Sequence, residues 1–250
     1  DVIRYEIADT VAAIILETVI GGSGVIIPPD GYLKRLREIC DENNVLLIAD
    51  EVMAGFGRTG EWFAVQNWDV VPDIITMAKG LTSSYIPMGA VAISEKVARA
   101  LSKEMLYCGL TYSGHPVSCA AAVATLEVYR EEKLIENSRT LGRVLKREFE
   151  RIKERHPSVG DARSIGLFGC LELVKNRKTK EPLVPYNAMG EAAAITKEIN
   201  RRLMAKRVYA PARWMLMFVA PPLSITEDQL REGLSVTDEV LDWVDTLTEN

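Results

Sequence analysis

Two residues of this chain carry the clearest chemistry. Lys79 lies in "PDIITMAKGLT", after an apolar run and before a glycine. Asp50 closes a second apolar run, "NNVLLIADEV". An ammonium and a carboxylate at the ends of two buried strands are costly unless something partners them. A primary amine condenses with an aldehyde, and a carboxylate keeps a heteroaromatic nitrogen protonated. The pair therefore suits a bound group that carries both functions.

The elements that must position these residues are legible as alternating patterns. "VAAIILETV" (11–19) reads as a buried strand rich in branched residues, and "GGSGVIIPP" as the loop after it. Asp30 is expected to cap a helix over "GYLKRLREICDENN", where Leu33, Leu36 and Ile39 or Cys40 share one face. "VLLIAD", "PDIITMA" and "MGAVAIS" (88–94) supply three further strands. Strands alternating with helices predict an α/β domain with a largely parallel sheet. Ligand sites in such sheets lie beyond the carboxyl ends of the strands, where Asp50 and Lys79 both stand.

From Pro116 the pattern predicts long helices with a break near Glu132. Strand-like "SVGDARSIGLFGCLELV" follows, then a helix over about 187–206 and strands in "RVYAPARWMLMFVAPP". A last helix starts at Thr226, with Asp228 and Gln229 completing a capped first turn. It carries Leu230, Leu234, Leu241 and Val244 at helical spacing. Residues 141–250 are thus expected to form a smaller α+β domain beside a larger one over 1–140.

Composition narrows the class. The chain has 250 residues, is 48% hydrophobic and 26% charged, and so can bury a sizeable core. A net charge of −5 gives no electrostatic case for nucleic acid. The basic run "KREFERIKERH" at 146–156 is interleaved with Glu and reads as a solvated helix face. Cys40, Cys108, Cys119 and Cys170 have no metal-ligand spacing and are expected as reduced, mostly buried thiols of a cytoplasmic protein. No apolar stretch reaches the ~18 residues of a membrane span. The opening "DVIRYEIADT" has neither an initiator Met nor a leader layout, so the chain is expected to begin within a longer protein.

"DEVMAGFGRTG", "PDIITMAKGLT", "PMGAV" and "TYSGHPVSCAAA", in this order, resemble the class III (omega) aminotransferases. The resemblance extends from near residue 11 to about residue 245. It implies the α/β architecture of fold type I transferases and pyridoxal phosphate as cofactor. Residues 1–140 would then be the carboxyl-terminal part of the large cofactor-binding domain. Lys79 matches the lysine that holds the cofactor and then serves as the base that moves a proton. Asp50 matches the aspartate that pairs with the pyridine nitrogen, and Val52 the residue that packs on the ring. Two residues along an extended stretch, Val52 would point to the same side as Asp50. Thr111 resembles the threonine that binds the cofactor phosphate across a subunit boundary, which implies a homodimer. The motif treats His115 as structural, and Arg58 is expected to hold its loop together rather than to bind substrate. Glu17 opens what is a Glu-Pro pair in the family, with Thr18 in place of the Pro.

Three departures concern substrate. Ornithine- and acetylornithine-type members have a Gln where this chain has Met53, an acidic residue where it has Gly22, and a carboxylate-gripping Arg where it has Phe218. Met53 cannot make the hydrogen bond of that Gln. The resemblance therefore leans to the omega-transaminase branch, whose donors are omega-amino acids, amines or taurine-like molecules and whose acceptor is pyruvate. Arg213, in "APARWMLMFVAPP", is the candidate for a substrate carboxylate or sulfonate, which an Arg fork suits bidentately. Family members are much longer, and their preceding half carries the phosphate-cradling glycines, a stacking aromatic and most of the substrate pocket. An aminomutase or decarboxylase of the same superfamily, and a piece without catalysis of its own, stay open here. A nucleotide-binding oxidoreductase is opposed by the lack of GxGxxG after the first strand.

Overall fold

The computed structural model of the chain describes residues 1–103 and 105–249. They divide into two compact units. The first comprises Asp1–Gly21, Pro28–Gly57 and Glu61–Ile135; the second comprises Gly22–Ile27, Arg58–Gly60 and the chain from Glu136 onward.

The first unit opens with a short helix, α1 (Val2–Tyr5). It then runs β1 (Ala13–Glu17), α2 (Tyr32–Glu42), β2 (Leu46–Asp50), β3 (Ile74–Met77), β4 (Ala90–Ile93), α3 (Glu95–Leu101) and α4 (Pro116–Glu131). The sheet order is β1-β2-β3-β4. β1, β2 and β3 are parallel, and β4 closes the edge antiparallel to β3. β1 is shorter than its apolar run, because Thr18 leaves the ladder to donate its hydroxyl to the Glu51 carboxylate at 2.8 Å. α2 packs Leu33 and Cys40 against Val45, Leu47 and Val70, with Ile14 and Leu16 beside them.

The expected Asp30 cap is not formed. Gly31 takes the N-cap position at φ 79, and Asp30 is exposed. Glycine alone enters that left-handed region without steric cost, so the chain turns into the helix one residue later than the polar residue suggested. The main chain closes the first turn instead, with Arg35 N–H donating to the Gly31 carbonyl at 2.9 Å.

The second unit contains α5 (Leu134–Arg155), β5 (Val159–Ile165), β6 (Phe168–Asn176), β7 (Glu181–Pro182), α6 (Ala194–Ala205), β8 (Ala212–Arg213), β9 (Leu216–Val219) and α7 (Glu227–Asp245). Its sheet runs β5-β6-β9-β8 with β7 against β6, every pairing antiparallel. The helix break expected near Glu132 falls between α4 and α5. Thr226 caps α7 reciprocally with Gln229, and Leu230, Leu234, Leu241 and Val244 are all buried. Each such side chain contributes about 1.5–3 kcal/mol of burial free energy.

The basic run of α5 departs from a purely solvated face. Phe149, Ile152 and His156 within it are buried. His156 Nδ1 lies 2.7 Å from Asp245 and Nε2 3.1 Å from Asp238, which ties α5 to α7. The four thiols are free; Cys40 and Cys170 are buried, whereas Cys119 is half-buried and Cys108 exposed. Burial pushes the Cys170 thiol up to about 12, which makes it inert at neutral pH. Among the described residues no helix is long and apolar enough to cross a membrane.

Candidate active site

Three strand ends converge in the first unit. The parallel register sets Glu17 beside Asp50 and Asp50 beside Thr76. Lys79 follows Thr76 after Met77 and Ala78, in a 3-10 turn over Lys79–Leu81. The carboxylate and the amine that the sequence singled out thus leave adjacent parallel strands at their carboxyl ends. Asp50 is half-buried and Lys79 exposed. Among the described residues neither enters an ion pair, and Asp50 accepts one hydrogen bond, from Val52 N–H at 3.0 Å.

Val52 departs from the expectation. The chain turns after Glu51 instead of staying extended, so the alternation that would aim Val52 with Asp50 stops there. Val52 is half-buried, and its amide donates to the Asp50 side chain as in a turn capped by Asp.

Lys79 has φ 42, a region that side-chain-bearing residues enter only under constraint. The next residue, Gly80, lies so close to Phe56 that an added Cβ would sit 2.7 Å from that side chain. The Tyr129 hydroxyl, from α4, donates to the Gly80 carbonyl at 3.1 Å.

Glu51 is wholly buried, and its carboxylate accepts hydrogen bonds from the Thr18 hydroxyl and from Ala64 N–H and Val65 N–H. Burial pushes this carboxyl above its ordinary value, and the nearby Asp50 charge adds to the effect. The three donors pull the other way without cancelling it. Glu17 accepts from Gly21 N–H at 3.0 Å and so fixes the turn after β1. Neither Glu51 nor Tyr129 was singled out from the sequence. Glu51 carried a readable signal, a second carboxylate where an apolar strand ends; Tyr129 carried none, because its partner lies far away along the chain.

The remaining candidates occupy other places. Thr111 and His115 lie in an exposed stretch before α4, and His115 stands at the N-cap position without a side-chain cap bond. In the second unit, Arg58 donates to the Leu167 carbonyl at 2.9 Å and the Pro221 carbonyl at 2.6 Å, the contacts of a loop clamp. Arg213 is exposed in β8, with its guanidinium 4.0 Å from the Trp214 ring centre. Phe218 lines an open cleft of about 560 Å³ with Val208, Tyr209, Ile225 and Leu234.

The fold is that of the fold type I transaminases. A structure of a taurine:2-oxoglutarate aminotransferase from Bifidobacterium kashiwanohense, in complex with pyridoxal phosphate and glutamate, superposes with a TM-score of 0.93 at 43% identity. That match covers 98% of this chain and 54% of the other. The family description "Aminotransferase class-III" fits residues 1–241, and the chain belongs to that family. A putrescine–pyruvate aminotransferase from Pseudomonas aeruginosa is 39% identical over 94% of this chain and 50% of its own length. A taurine–pyruvate aminotransferase from Bilophila wadsworthia is 40% identical over 74% of this chain and 42% of its own length. The chain spans about half the length of the curated relatives it matches.

Proposed function

We propose that this chain supplies the cofactor-holding strand ends of a pyridoxal-phosphate aminotransferase. It would move an amino group from an omega-amino acid, an amine or a taurine-like donor to pyruvate, in two half-reactions with ping-pong kinetics. The observation that carries this reading is the pair Asp50 and Lys79, on adjacent parallel strand ends and outside every ion pair among the described residues. A carboxylate and an amine left outside any ion pair at such a place are available to a ligand.

The residues present fit pyridoxal phosphate. Lys79 would hold the cofactor through Nζ, condensing with its aldehyde with loss of water, and would serve as the base that moves a proton. The Asp50 carboxylate would pair with the pyridine nitrogen and keep it protonated. Val52 would pack on the ring, and Thr111 would bind the phosphate held by the other subunit of a homodimer. Arg213 grips the substrate carboxylate or sulfonate. When bound, the cofactor supplies the electron sink that a donor carbon needs to release its proton. A cytoplasmic setting accords with the free thiols.

A second acceptor has a specific observation in its favour. The taurine aminotransferase structure at 43% identity is named for 2-oxoglutarate, not pyruvate. One experiment tests both readings. The complete protein is incubated with pyridoxal phosphate, reduced with borohydride and mapped by mass spectrometry. A label on Lys79 is expected, followed by alanine formation from pyruvate with putrescine or taurine as donor. Glutamate formation in preference to alanine assigns 2-oxoglutarate as acceptor. A folded protein that takes no label at Lys79 overturns the reading.

A further inference from the structure

We propose that Tyr129 is a positioning residue for Lys79, acting through the Gly80 carbonyl. The inference rests on the assignment of Lys79 above. Lys79 is held at φ 42 in a turn closed by one short main-chain bond, from Leu81 N–H to the Ala78 carbonyl at 2.9 Å. The two backbone bonds onto the Lys79 carbonyl are long, from Thr82 N–H at 3.3 Å and from Ser84 N–H at 3.4 Å. Ser83 and Ser84 are also in the left-handed region, so the strain extends along the segment. Within the turn the Gly80 carbonyl receives a long bond, from Ser83 N–H at 3.3 Å, and the rest of its restraint comes from outside.

Two contacts supply it. The Gly80 backbone is pressed against Phe56, where even a methyl group would sit 2.7 Å from the Phe56 Cβ and 3.2 Å from its ring. The Tyr129 hydroxyl donates to the Gly80 carbonyl at 3.1 Å. Tyr129 is itself immobilised: it is 7% exposed, with ring centres 6.2 Å from Phe56 and 5.8 Å from Trp62. Phe63 completes the cluster at 5.4 Å from Phe56. Four aromatic side chains thus form a rigid bed, and a single hydroxyl reaches from it to the peptide next to the lysine. Rotation of that peptide is what would swing Lys79 away from the strand ends. A hydrogen bond there converts the rigidity of α4 into a fixed direction for the amine.

The test is Tyr129→Phe in the complete protein, which keeps the ring and removes only the hydroxyl. Three quantities are read: melting temperature, the rate at which Lys79 captures pyridoxal phosphate (followed by absorbance and borohydride mapping), and the split between kcat and donor KM. Loss of one neutral hydrogen bond predicts capture and kcat each down about fivefold. KM should stay within about twofold, and melting within about 4 °C, as for a small stability change in a chain of this size. Gly80→Ala should cut capture by more than tenfold, because the added methyl group forces the peptide off the bed. Wild-type capture and kcat in Y129F, or a loss confined to melting temperature, overturns the inference while leaving the function standing. A wild-type protein with no label on Lys79 overturns the function and this inference with it.

Discussion

The two ends of the parallel strands in the first unit treat charge in opposite ways. At the amino-terminal end, Asp73 stands just before β3 and is fully engaged. It accepts from Leu47 N–H at 2.9 Å and from Arg37 at 2.7 Å, and Arg37 also pairs with Asp41. Burial alone would raise its pKa, but the Leu47 amide and the Arg37 guanidinium outweigh burial and hold the carboxyl below its ordinary value. At the carboxyl-terminal end, Asp50 accepts one amide hydrogen bond, from Val52, and among the described residues neither it nor Lys79 has a charged partner. The same residue types are thus structural at one end and available at the other. The carboxyl end is also where an open α/β sheet leaves room for a ligand.

That contrast can be broken from either end. Lys79→Ala should abolish covalent capture of pyridoxal phosphate altogether, as read by borohydride mapping. It should leave urea stability within about 0.5 kcal/mol, because the side chain is exposed. Asp50→Asn should still capture the cofactor but slow turnover by about a hundredfold, the order that a positioned proton-transfer partner contributes. Near-normal turnover in that variant removes Asp50 from the electron-sink role.

Asp73→Asn should do the reverse, costing about 2 kcal/mol of stability, because the largely buried Arg37 keeps only its pair with Asp41. Its capture chemistry, once folded, should be unchanged. The pH dependence has a definite sign. The folded pKa of Asp73 is lowered, so its stabilisation is complete above the unfolded value of about 3.9 and disappears as pH falls through the lower folded value. Acid unfolding of D73N should therefore be flatter than that of wild type below about pH 4.

The smallest expected effect belongs to Glu51→Gln. It keeps the shape but points an amide at donors, costing about 1 kcal/mol at low pH. Glu51 has a raised folded pKa, so its protonated form favours folding below the unfolded value of about 4.3, and that advantage is lost as pH rises through the folded value. The stability gap between wild type and E51Q should narrow as pH rises through that window. Urea titrations at several pH values measure it.

What could be read from the chain in advance, and what could not, divides by range. Periodicity located β2, β3 and the buried face of α7, because those patterns are local and burial acts on them directly. It over-extended β1 and misplaced the α2 cap, since Thr18 answers to Glu51 and the left-handed turn at Gly31 is set by the path of the loop. It kept Val52 extended, where the chain turns so that the amide can serve Asp50.

Residue order alone was enough to choose Lys79 and Asp50, because an uncompensated charge closing an apolar run is conspicuous wherever the chain goes. Only the folded molecule could decide that their strands are adjacent and in register, that Glu51 knots β1 to the loop at Ala64, and that Tyr129 reaches the peptide beside Lys79. The physical reason is that a hydrogen bond between residues far apart in the chain depends on where packing delivers each partner. No local preference encodes that meeting.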